Sequence, residues 1–288
     1  AKMATDQGIE TVPAFFTPEV AQKIRADKGA AQIMTATSVF PHVDNLNVLV
    51  AAVKELLADN GVFIIEAYYL LSIIEKNLFD TVYHEHLSYF TVDTFVKLFN
   101  RLGMEVFDVE KTDTHGGSLR VFVQKRGGGH NVQDSLKRFM DEEQTKGMQQ
   151  IETFIKYQST IEKNKEDLLK LLRSLKAEGK KIVGYGAPAK GNTLLNYFDI
   201  GTDLLDYIVD DSTWKQGLYS PGKHIPVVSS ATLKEQKPDY VLMLAWNFAR
   251  PIMEKLLDLE TKFIIPVPHA IVINDIVDLD LFTIVEGL

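Results

Sequence analysis

The stretch that decides the fold reads Lys181-Ile182-Val183-Gly184-Tyr185-Gly186-Ala187-Pro188-Ala189-Lys190-Gly191. It opens with a short apolar run typical of a buried strand, continues through a glycine turn, and leads into a helical pattern. A glycine-rich turn between a strand and a helix is typical of phosphate-binding α/β units. The spacing is Gly-x-Gly-x-x-x-x-Gly, which departs from the strict dinucleotide fingerprint, so a plain tight turn stays an alternative.

Strand-like and helix-like segments alternate on both sides of this stretch, and this alternation predicts an α/β protein. The predicted strands are residues 9–12, 31–37, 62–66, 105–110, 118–124, 181–186, 205–209, 240–245 and 263–266. The predicted helices are residues 18–27, 46–60, 70–77, 92–102 and 190–198. Thr17 followed by Pro18 predicts a capped helix start, because threonine caps helices and proline suits the first helical position.

Three parts follow one another along the chain. Residues 1–126 form a first α/β domain, and the glycines at 127–129 interrupt the pattern after its last strand. Residues 127–180 are charged and carry an apolar stripe at helical spacing, which predicts a helical connector. Residues 181–288 form a second α/β domain. A chain of 288 residues is long enough for two domains of ordinary size.

Composition excludes several classes of function. The formal net charge is −8, which argues against non-specific binding to nucleic acid or to a membrane surface. The chain has no cysteine, so disulfides and thiolate zinc sites within it are excluded. No run approaches the roughly 18 apolar residues of a membrane helix. We therefore expect a cytoplasmic protein with no nucleic-acid or membrane partner.

The densest chemistry lies in Tyr83-His84-Glu85-His86. Histidine is the side chain best suited to proton transfer near neutral pH, and a neighbouring carboxylate can orient it, so the motif is a candidate for acid–base catalysis. A metal site is a second interpretation, but a third ligand is not apparent, and we predict no bound metal. A solvent-exposed loop with no catalytic role is a third interpretation.

Other candidate residues follow predicted strands or lead into them. Ser38 to Val43 follow a predicted strand, which places His42 where ligands bind in open α/β sheets, although a structural histidine is the alternative. Residues 114–120 form a glycine-rich turn that enters a strand and could offer backbone N–H groups to an anion, or could be a plain tight turn. Asp210 ends a strand, where an acid can meet a ribose hydroxyl or simply form a turn.

Five ordered segments together resemble the sugar C-methyltransferase family of deoxysugar biosynthesis. The segments are residues 38–43, 79–90, 114–120, 184–191 and 244–248. The Tyr83-His84-Glu85-His86 block is the most specific of them. The resemblance implies an incomplete class I, Rossmann-like methyltransferase domain, a helical linker and a second Rossmann-like α/β domain.

The resemblance also implies a reaction and the residues that serve it. Members of the family use S-adenosylmethionine to methylate a carbon next to the keto group of a nucleotide-linked 4-keto-deoxysugar. By resemblance, His86 is the base with Glu85 supporting it, and Tyr83 and His42 hydrogen-bond the sugar or the enolate oxygen. The expected cofactor-binding residues are Ser38, Val39 and Phe40. The expected substrate-binding residues are His84, His115, Gly116, Gly117, Ser118, Arg120, Gly184, Gly186, Ala187, Lys190, Gly191, Asn192, Asp210, Trp246 and Asn247.

Departures from the family pattern lead to further expectations. The family's cysteine-bearing zinc domain is absent, and its cofactor-cradling glycine turn and ribose acid would precede Ala1. We therefore expect a fragment with poor or no activity. The strand at 31–37 would lose a neighbour, and an unpaired strand edge is adhesive, so we expect a homodimer through that edge. The expected partner is a nucleotide-linked sugar, with thymidine diphosphate as the candidate nucleotide.

Two rival functions stay open on the sequence alone. An NAD(P)-dependent reductase could be built on the turn at Gly184, although the strict fingerprint is missing. A non-catalytic nucleotide-sugar-binding module would use the same turn without any chemistry. The three hypotheses differ in whether S-adenosylhomocysteine, NADH or a nucleoside diphosphate alone binds.

Overall fold

The structure is a computed structural model that describes residues 1–286. Its helices are α1 (Lys2–Asp6), α2 (Pro18–Lys28), α3 (Leu46–Leu56), α4 (Leu70–Glu75), α5 (Val92–Arg101), α6 (Asp134–Thr145), α7 (Ile151–Ala177), α8 (Ala189–Phe198), α9 (Ala231–Gln236), α10 (Ala249–Glu254) and α11 (Ile276–Glu286). Its strands are β1 (Ala31–Thr37), β2 (Leu57–Tyr68), β3 (Met104–Thr112), β4 (Ser118–Lys125), β5 (Ile182–Tyr185), β6 (Ile208–Val209), β7 (Val227–Val228), β8 (Tyr240–Met243), β9 (Lys262–Ile265) and β10 (Ile271–Ile273).

These elements form two compact units that are interleaved in sequence. The first unit comprises Ala1–Tyr69, Leu87–Thr112 and Ser118–Thr145. The second comprises Leu70–His86, Asp113–Gly117 and Lys146–Leu288. This division differs from the sequential boundaries that the sequence predicts, because two short segments contact residues more than a hundred positions away. One such contact joins the Asn77 side-chain amide to the Pro268 backbone oxygen at 2.7 Å.

The first unit contains a sheet of order β1-β2-β4-β3. Strand β1 runs parallel to β2, and β4 is antiparallel to both β2 and β3. Phenylalanine rings fill its core because burying apolar surface stabilises a fold by roughly 25 cal/mol per Å². The packed rings are Phe40, Phe63, Phe90, Phe95 and Phe99.

Helix α2 begins as its sequence predicts. The Thr17 hydroxyl accepts a hydrogen bond from the Val20 N–H at 3.4 Å, and Pro18 occupies the first turn.

Two predictions in this unit are wrong. Residues 9–12 form no strand, because Ile9 and Val12 stay 62% and 51% exposed and have no sheet to join. Helix α3 ends four residues early, because Leu57 pairs with Ala31 as the start of β2.

The second unit contains a sheet of order β10-β9-β8-β5-β6-β7. All neighbours in it are parallel except the antiparallel pair β9 and β10. The chain leaves β5 through α8, builds β6 and β7 on one side, and then returns to build β8 on the other side of β5. The direction of strand addition therefore reverses between β5 and β8. Both units are α/β, which confirms the predicted fold class.

Candidate functional site

The reversal between β5 and β8 marks the candidate site of the second unit. In open α/β sheets, ligands bind at the carboxyl ends of the strands where strand order reverses. Two turns meet at this point, because the turn after β5 contains Gly186 and the turn after β8 contains Ala245 and Trp246. Gly186 has a φ of +87°, and a Cβ there would lie 2.6 Å from the Ala245 Cβ. Only glycine therefore lets the two turns pack this closely.

The turn after β5 leads directly into helix α8. Pro188 is the N-cap of α8 and supplies no side-chain cap to the first turn. The N–H groups of a first helical turn have no partner within the helix, and they favour an anion such as a phosphate. Of the other predicted residues here, Gly191 is buried against Leu244, and Asn192 is partly buried in the same helix.

Lys190 and Asp80 both contact Trp246, and each influences the charge of the other. The Lys190 Nζ lies 4.2 Å from the centroid of the Trp246 ring, and the Trp246 Nε1–H donates to Asp80 Oδ2 at 2.6 Å. Asp80 is fully buried, and its Oδ1 has no partner among the residues that the structure describes. Burial raises the pKa of Asp80 against the opposing effects of Lys190 and the Trp246 N–H. Burial lowers the pKa of Lys190, and the Asp80 carboxylate opposes that shift.

Asp210 stabilises the glycine turn. Its Oδ2 accepts from the Ala187 N–H at 2.7 Å, and its Oδ1 accepts from the Ser212 N–H at 2.8 Å. Burial works in the opposite direction, but these N–H groups and Lys215 hold the pKa of Asp210 below its usual value. A carboxylate engaged by two backbone donors orders the turn around Ala187. The turn-forming interpretation of Asp210 is the one that this geometry supports.

The tetrapeptide at 83–86 belongs to the second unit and separates its two histidines. His84 is exposed, whereas His86 is only 6% exposed. The His86 Nδ1 lies 2.7 Å from the Thr81 backbone oxygen, and its ring packs 4.2 Å from the Tyr83 ring. A carbonyl oxygen can only accept, so Nδ1 carries the proton in the neutral ring. The Nε2 of neutral His86 is therefore the basic nitrogen.

Tyr83 and Glu85 complete this turn. The Glu85 carboxylate lies 4.0 Å from the Nε2 of the exposed His84. The Thr81 backbone oxygen holds the His86 Nδ1, and the support of His86 by Glu85 stays a prediction. Burial, with the charges of Glu85 and Asp80, raises the pKa of Tyr83. The Tyr83 hydroxyl therefore keeps its proton and remains a hydrogen-bond donor.

A cavity of about 350 Å³ in the second unit gathers further predicted residues. It is lined by Asp113, Thr114, His115, Gly116, Trp246, Asn247, Phe248, Ala249, Arg250, Ile265, Leu279 and Asp280. Gly117 is next to this lining, and a Cβ there would lie 2.6 Å from the Ser72 Cβ. Ser118 and Arg120 belong instead to β4 of the first unit, where Arg120 donates to Glu66 at 2.9 Å.

The first unit has its own cavity, of about 640 Å³, beyond the end of β1. It is lined by Ala14, Phe15, Phe16, Thr17, Ser38, Val39, His42, Val43, Asp44, Asn45, Val48 and Leu49. Ser38, Val39 and His42 are exposed. Phe40 is fully buried in the aromatic core, so its ring does not face this cavity. His42 is in the first unit and His86 in the second, and a shared role stays a prediction.

The residues of this first cavity fit only part of a nucleoside cofactor. Phe15 and Phe16 offer apolar walls, and Asp44 is the one carboxylate in the lining. The lining contains no glycine, so no close backbone approach to a ligand is built there. These residues do not suffice to hold a whole S-adenosylmethionine, and no step of the chemistry below is assigned to them.

Among the side chains that the structure describes, no group of three or more histidine, aspartate or glutamate residues could hold a metal ion. Within the same residues, no helix has the length and apolarity needed to span a bilayer.

Sequence reasoning missed two members of the site in the second unit. Asp80 lies inside the segment 79–90 that carries the family resemblance, yet nothing local indicates its burial beside Trp246. The Thr81 carbonyl is a backbone group and leaves no signal in the side-chain pattern. An acidic residue a few positions before a candidate base was the available signal for Asp80.

The fold and the site together define a class of α/β protein with a glycine turn at a strand-order reversal and a buried, oriented histidine. Comparison with known proteins narrows this class. A family model described as the C-methyltransferase C-terminal domain matches residues 113–268, and a methyltransferase domain model matches residues 6–109. The first match covers more than half of the chain, so the chain belongs to the C-methyltransferase family. This result confirms the resemblance drawn from the sequence.

One curated relative and two solved structures illustrate the match. The C-methyltransferase NovU of Streptomyces niveus is 35% identical over 277 residues, which are 95% of this chain and 66% of that protein. A SAM-dependent methyltransferase from Anabaena variabilis ATCC 29413 is 17% identical over 38% of this chain and 56% of its own, with a TM-score of 0.31. An O-methyltransferase family protein from Burkholderia thailandensis is 13% identical over 44% of this chain and 40% of its own, with a TM-score of 0.29.

Proposed function

We propose that this chain takes part in S-adenosylmethionine-dependent C-methylation of a nucleotide-linked 4-keto-deoxysugar. The observation that carries the proposal is the buried His86, whose Nδ1 is held by the Thr81 backbone oxygen at 2.7 Å. This contact fixes the orientation of the imidazole ring, as a general base requires. The name of the S. niveus relative and the family model support carbon as the methylated atom.

The proton transfer can be written from the residues of this chain. His86 Nε2 takes the proton from the carbon next to the ketone, and the C–H electron pair becomes the C=C bond of an enolate. The negative charge develops on the former keto oxygen. The protonated Tyr83 hydroxyl is the donor best placed in this turn to stabilise that oxygen. S-adenosylmethionine, when bound, supplies the electrophilic methyl group.

The nucleotide part of the substrate fits the strand-order reversal of the second unit. The free N–H groups at the start of α8 and the Lys190 ammonium provide positive charge for a diphosphate. Lys190 and Asp80 both contact Trp246. Because Asp80 lies in the segment that carries His86, that segment and the proposed anion site belong to one packed cluster. A thymidine-diphosphate-linked sugar is the proposed substrate class, and the cytoplasm is the proposed compartment.

Hydrogen–deuterium exchange tests the proposed chemistry without requiring methyl transfer. The chain is incubated in D₂O with a thymidine-diphosphate-linked 4-keto-6-deoxysugar, and NMR follows the protons next to the ketone. We expect exchange above the buffer rate, because enolate formation needs only the base and the bound sugar. Exchange at the buffer rate, together with saturable NADH binding by calorimetry, would favour the reductase. Nucleotide binding without exchange would favour a binding module.

A further inference from the structure

We propose that a further cavity of the second unit, the α4–α7 cavity, binds a small polyhydroxylated anion at a site that the function proposed above does not use. The cavity measures about 560 Å³ and lies entirely in that unit. Helix α4 and the turn after it, the amino-terminal part of α7 and the segment after β9 form its walls. None of its lining residues is among those expected to bind the nucleotide-linked sugar or S-adenosylmethionine. A ligand in this cavity would therefore bind apart from both.

Asn77 gives the α4–α7 cavity a hydrogen-bond acceptor that the protein leaves unused. Its Nδ2 donates to the Pro268 backbone oxygen at 2.7 Å, and this contact fixes which end of the amide is the oxygen. The Asn77 side chain is only 3% exposed, and its Oδ1 has no hydrogen-bond partner among the residues that the structure describes. A buried acceptor without a donor costs free energy. A ligand hydroxyl that donates to this oxygen would remove that cost.

The charged side chains of the lining leave one positive charge without a counterion. The Lys146 ammonium lies 2.6 Å from the Glu75 carboxylate, so these two charges compensate each other. Lys156 is exposed and forms no ion pair with a residue that the structure describes. His269 is exposed in the same lining and adds positive charge when it is protonated. Since Glu75 is the one carboxylate in the lining, the α4–α7 cavity favours an anion.

The unused acceptor and the unpaired charge together define the ligand. It must donate a hydrogen bond to Asn77 and present a negative charge to Lys156, and a polyol with a phosphate or carboxylate group does both. Leu71, Ile74 and Met148 add apolar surface to the lining. A mostly apolar wall with a few polar groups that fix orientation is typical of small-molecule sites, and their volumes of about 300–1,000 Å³ include this one.

Two phosphate monoesters separate the effect of the acceptor from that of the charge. Glucose 1-phosphate and methyl phosphate are titrated by calorimetry into the whole chain at pH 8. Both are dianions there, because the second pKa of a phosphate monoester is about 6, and only glucose 1-phosphate has hydroxyl donors. We expect glucose 1-phosphate to bind at least fivefold more tightly than methyl phosphate. Equal affinities would overturn the proposal.

Gluconate, titrated in the same way, replaces the phosphate group by a carboxylate. Binding of either polyhydroxylated anion supports the site, and the tighter of the two identifies the anionic group. Binding of neither would overturn the α4–α7 site and leave the proposed methyl-transfer function standing, because that function uses other residues.

Lys156→Gln and Lys170→Gln form a matched pair for the charge. Both lysines are exposed on α7 and both substitutions remove one positive charge, but only Lys156 lines the cavity. Lys156→Gln should weaken glucose 1-phosphate at least threefold, whereas Lys170→Gln should leave its affinity unchanged. Lys190→Met should also bind it as the wild-type chain does. Equal weakening in both glutamine variants, or a loss of binding in Lys190→Met, would overturn the proposal.

Asn77→Ala tests the acceptor directly. This variant should bind glucose 1-phosphate only as tightly as methyl phosphate, and its affinity for methyl phosphate should stay within twofold of the wild-type value. Asn77 has a φ of +50° and holds Pro268, so circular dichroism is used to verify that the variant is folded. A folded Asn77→Ala chain that keeps the wild-type preference for glucose 1-phosphate would overturn the proposal. If the variant does not fold, the comparison of Lys156→Gln with Lys170→Gln decides the question.

Discussion

His84 and His86 are two positions apart, yet the fold gives them different chemistry. His84 is exposed to water, and its nearest carboxylate, Glu85, lies on the surface. His86 is buried, with one ring nitrogen committed to a backbone oxygen. Sequence spacing alone left catalysis, metal binding and an exposed loop open for the whole motif. Burial separates the two residues, because only a shielded and oriented imidazole has a fixed basic nitrogen.

Replacing His86 tests its proposed role as the base. In a preparation that exchanges the substrate protons, His86→Asn should slow exchange on the order of 10²-fold or more, the usual effect of losing a positioned base. The affinity of this variant for thymidine diphosphate should stay within twofold of the wild-type value, since the His86 side chain does not contact the nucleotide. His84→Asn is the control and should exchange at the wild-type rate. Wild-type exchange in His86→Asn would remove this residue from the mechanism.

Asp80 should set the pH range in which nucleotide binds. A diphosphate binds the charged form of Lys190, so affinity should fall as pH rises through the pKa of this lysine. Burial lowers that pKa, and the Asp80 carboxylate raises it again. Asp80→Asn keeps an acceptor for the Trp246 N–H but removes the charge. The affinity of the Asp80→Asn variant for thymidine diphosphate should therefore be lost at a lower pH than that of the wild-type chain.

Calorimetric titrations of thymidine diphosphate across pH 6 to 11 would show the shift. Lys190→Met is the control, since it should bind weakly at every pH and show no alkaline loss of affinity. An unchanged midpoint in Asp80→Asn would mean that the two charges do not interact in solution.

At the scale of elements, strand boundaries were predictable wherever local patterns agree with tertiary pairing. Strand β1 covers the predicted residues 31–37, because an apolar run starts soon after Gly29 and pairs along its length with β2. The junction of α3 and β2 was not predictable, because the pairing of Leu57 with Ala31 ends a pattern that continues as helix in sequence. Asp80 was missed for a similar reason, since its partner Trp246 lies far along the chain.

The turn between β5 and α8 should tolerate no side chain at Gly186. Both Gly186 and Gly179 have positive φ, of +87° and +77°, so an alanine at either position costs about 1–2 kcal/mol. A Cβ at Gly179 meets nothing within 4 Å, whereas one at Gly186 lies 2.6 Å from the Ala245 Cβ. Overpacking of this kind costs about 1–3 kcal/mol more.

Urea unfolding followed by circular dichroism should therefore rank Gly186→Ala below Gly179→Ala in the free energy of unfolding. Gly186→Ala should also weaken thymidine diphosphate, since the displaced turn precedes Lys190. Equal unfolding free energies for the two variants would show that the turns after β5 and β8 are not tightly packed.

At the scale of the whole molecule, β1 is an edge strand of the sheet in the first unit. Among residues 1–286, β1 pairs only with β2, so its other edge has no strand neighbour. Ile33 on this strand is 68% exposed. An unpaired edge with an apolar side chain favours pairing with another chain, which supports the proposal of a homodimer.

Lysine on the edge should disfavour that pairing. Sedimentation velocity over a range of concentrations should show self-association of the wild-type chain and less of it for Ile33→Lys. Val132→Lys is the control, because Val132 is 59% exposed in the same unit but lies outside the sheet. A wild-type chain that stays monomeric at high concentration would contradict the edge-paired dimer.

Cofactor affinity is the property of the whole molecule that the described residues allow us to predict. The cavity beyond β1 has apolar walls and one carboxylate, Asp44, but its lining contains no glycine turn. S-adenosylhomocysteine carries a ribose, an adenine and a charged amino-acid end, and each needs its own polar partners. A site that binds only some groups of a ligand still loses the full translational free energy of that ligand on binding. The affinity therefore falls steeply. We therefore expect calorimetry with S-adenosylhomocysteine to give a Kd weaker than about 100 μM. Thymidine diphosphate should bind to the second unit with a lower Kd than that. Sinefungin, an analogue with the same nucleoside and a charged amino-acid end, is the control and should bind as weakly. Saturable binding of S-adenosylhomocysteine in the low micromolar range, about −8 kcal/mol, would show that the first unit holds a complete cofactor site.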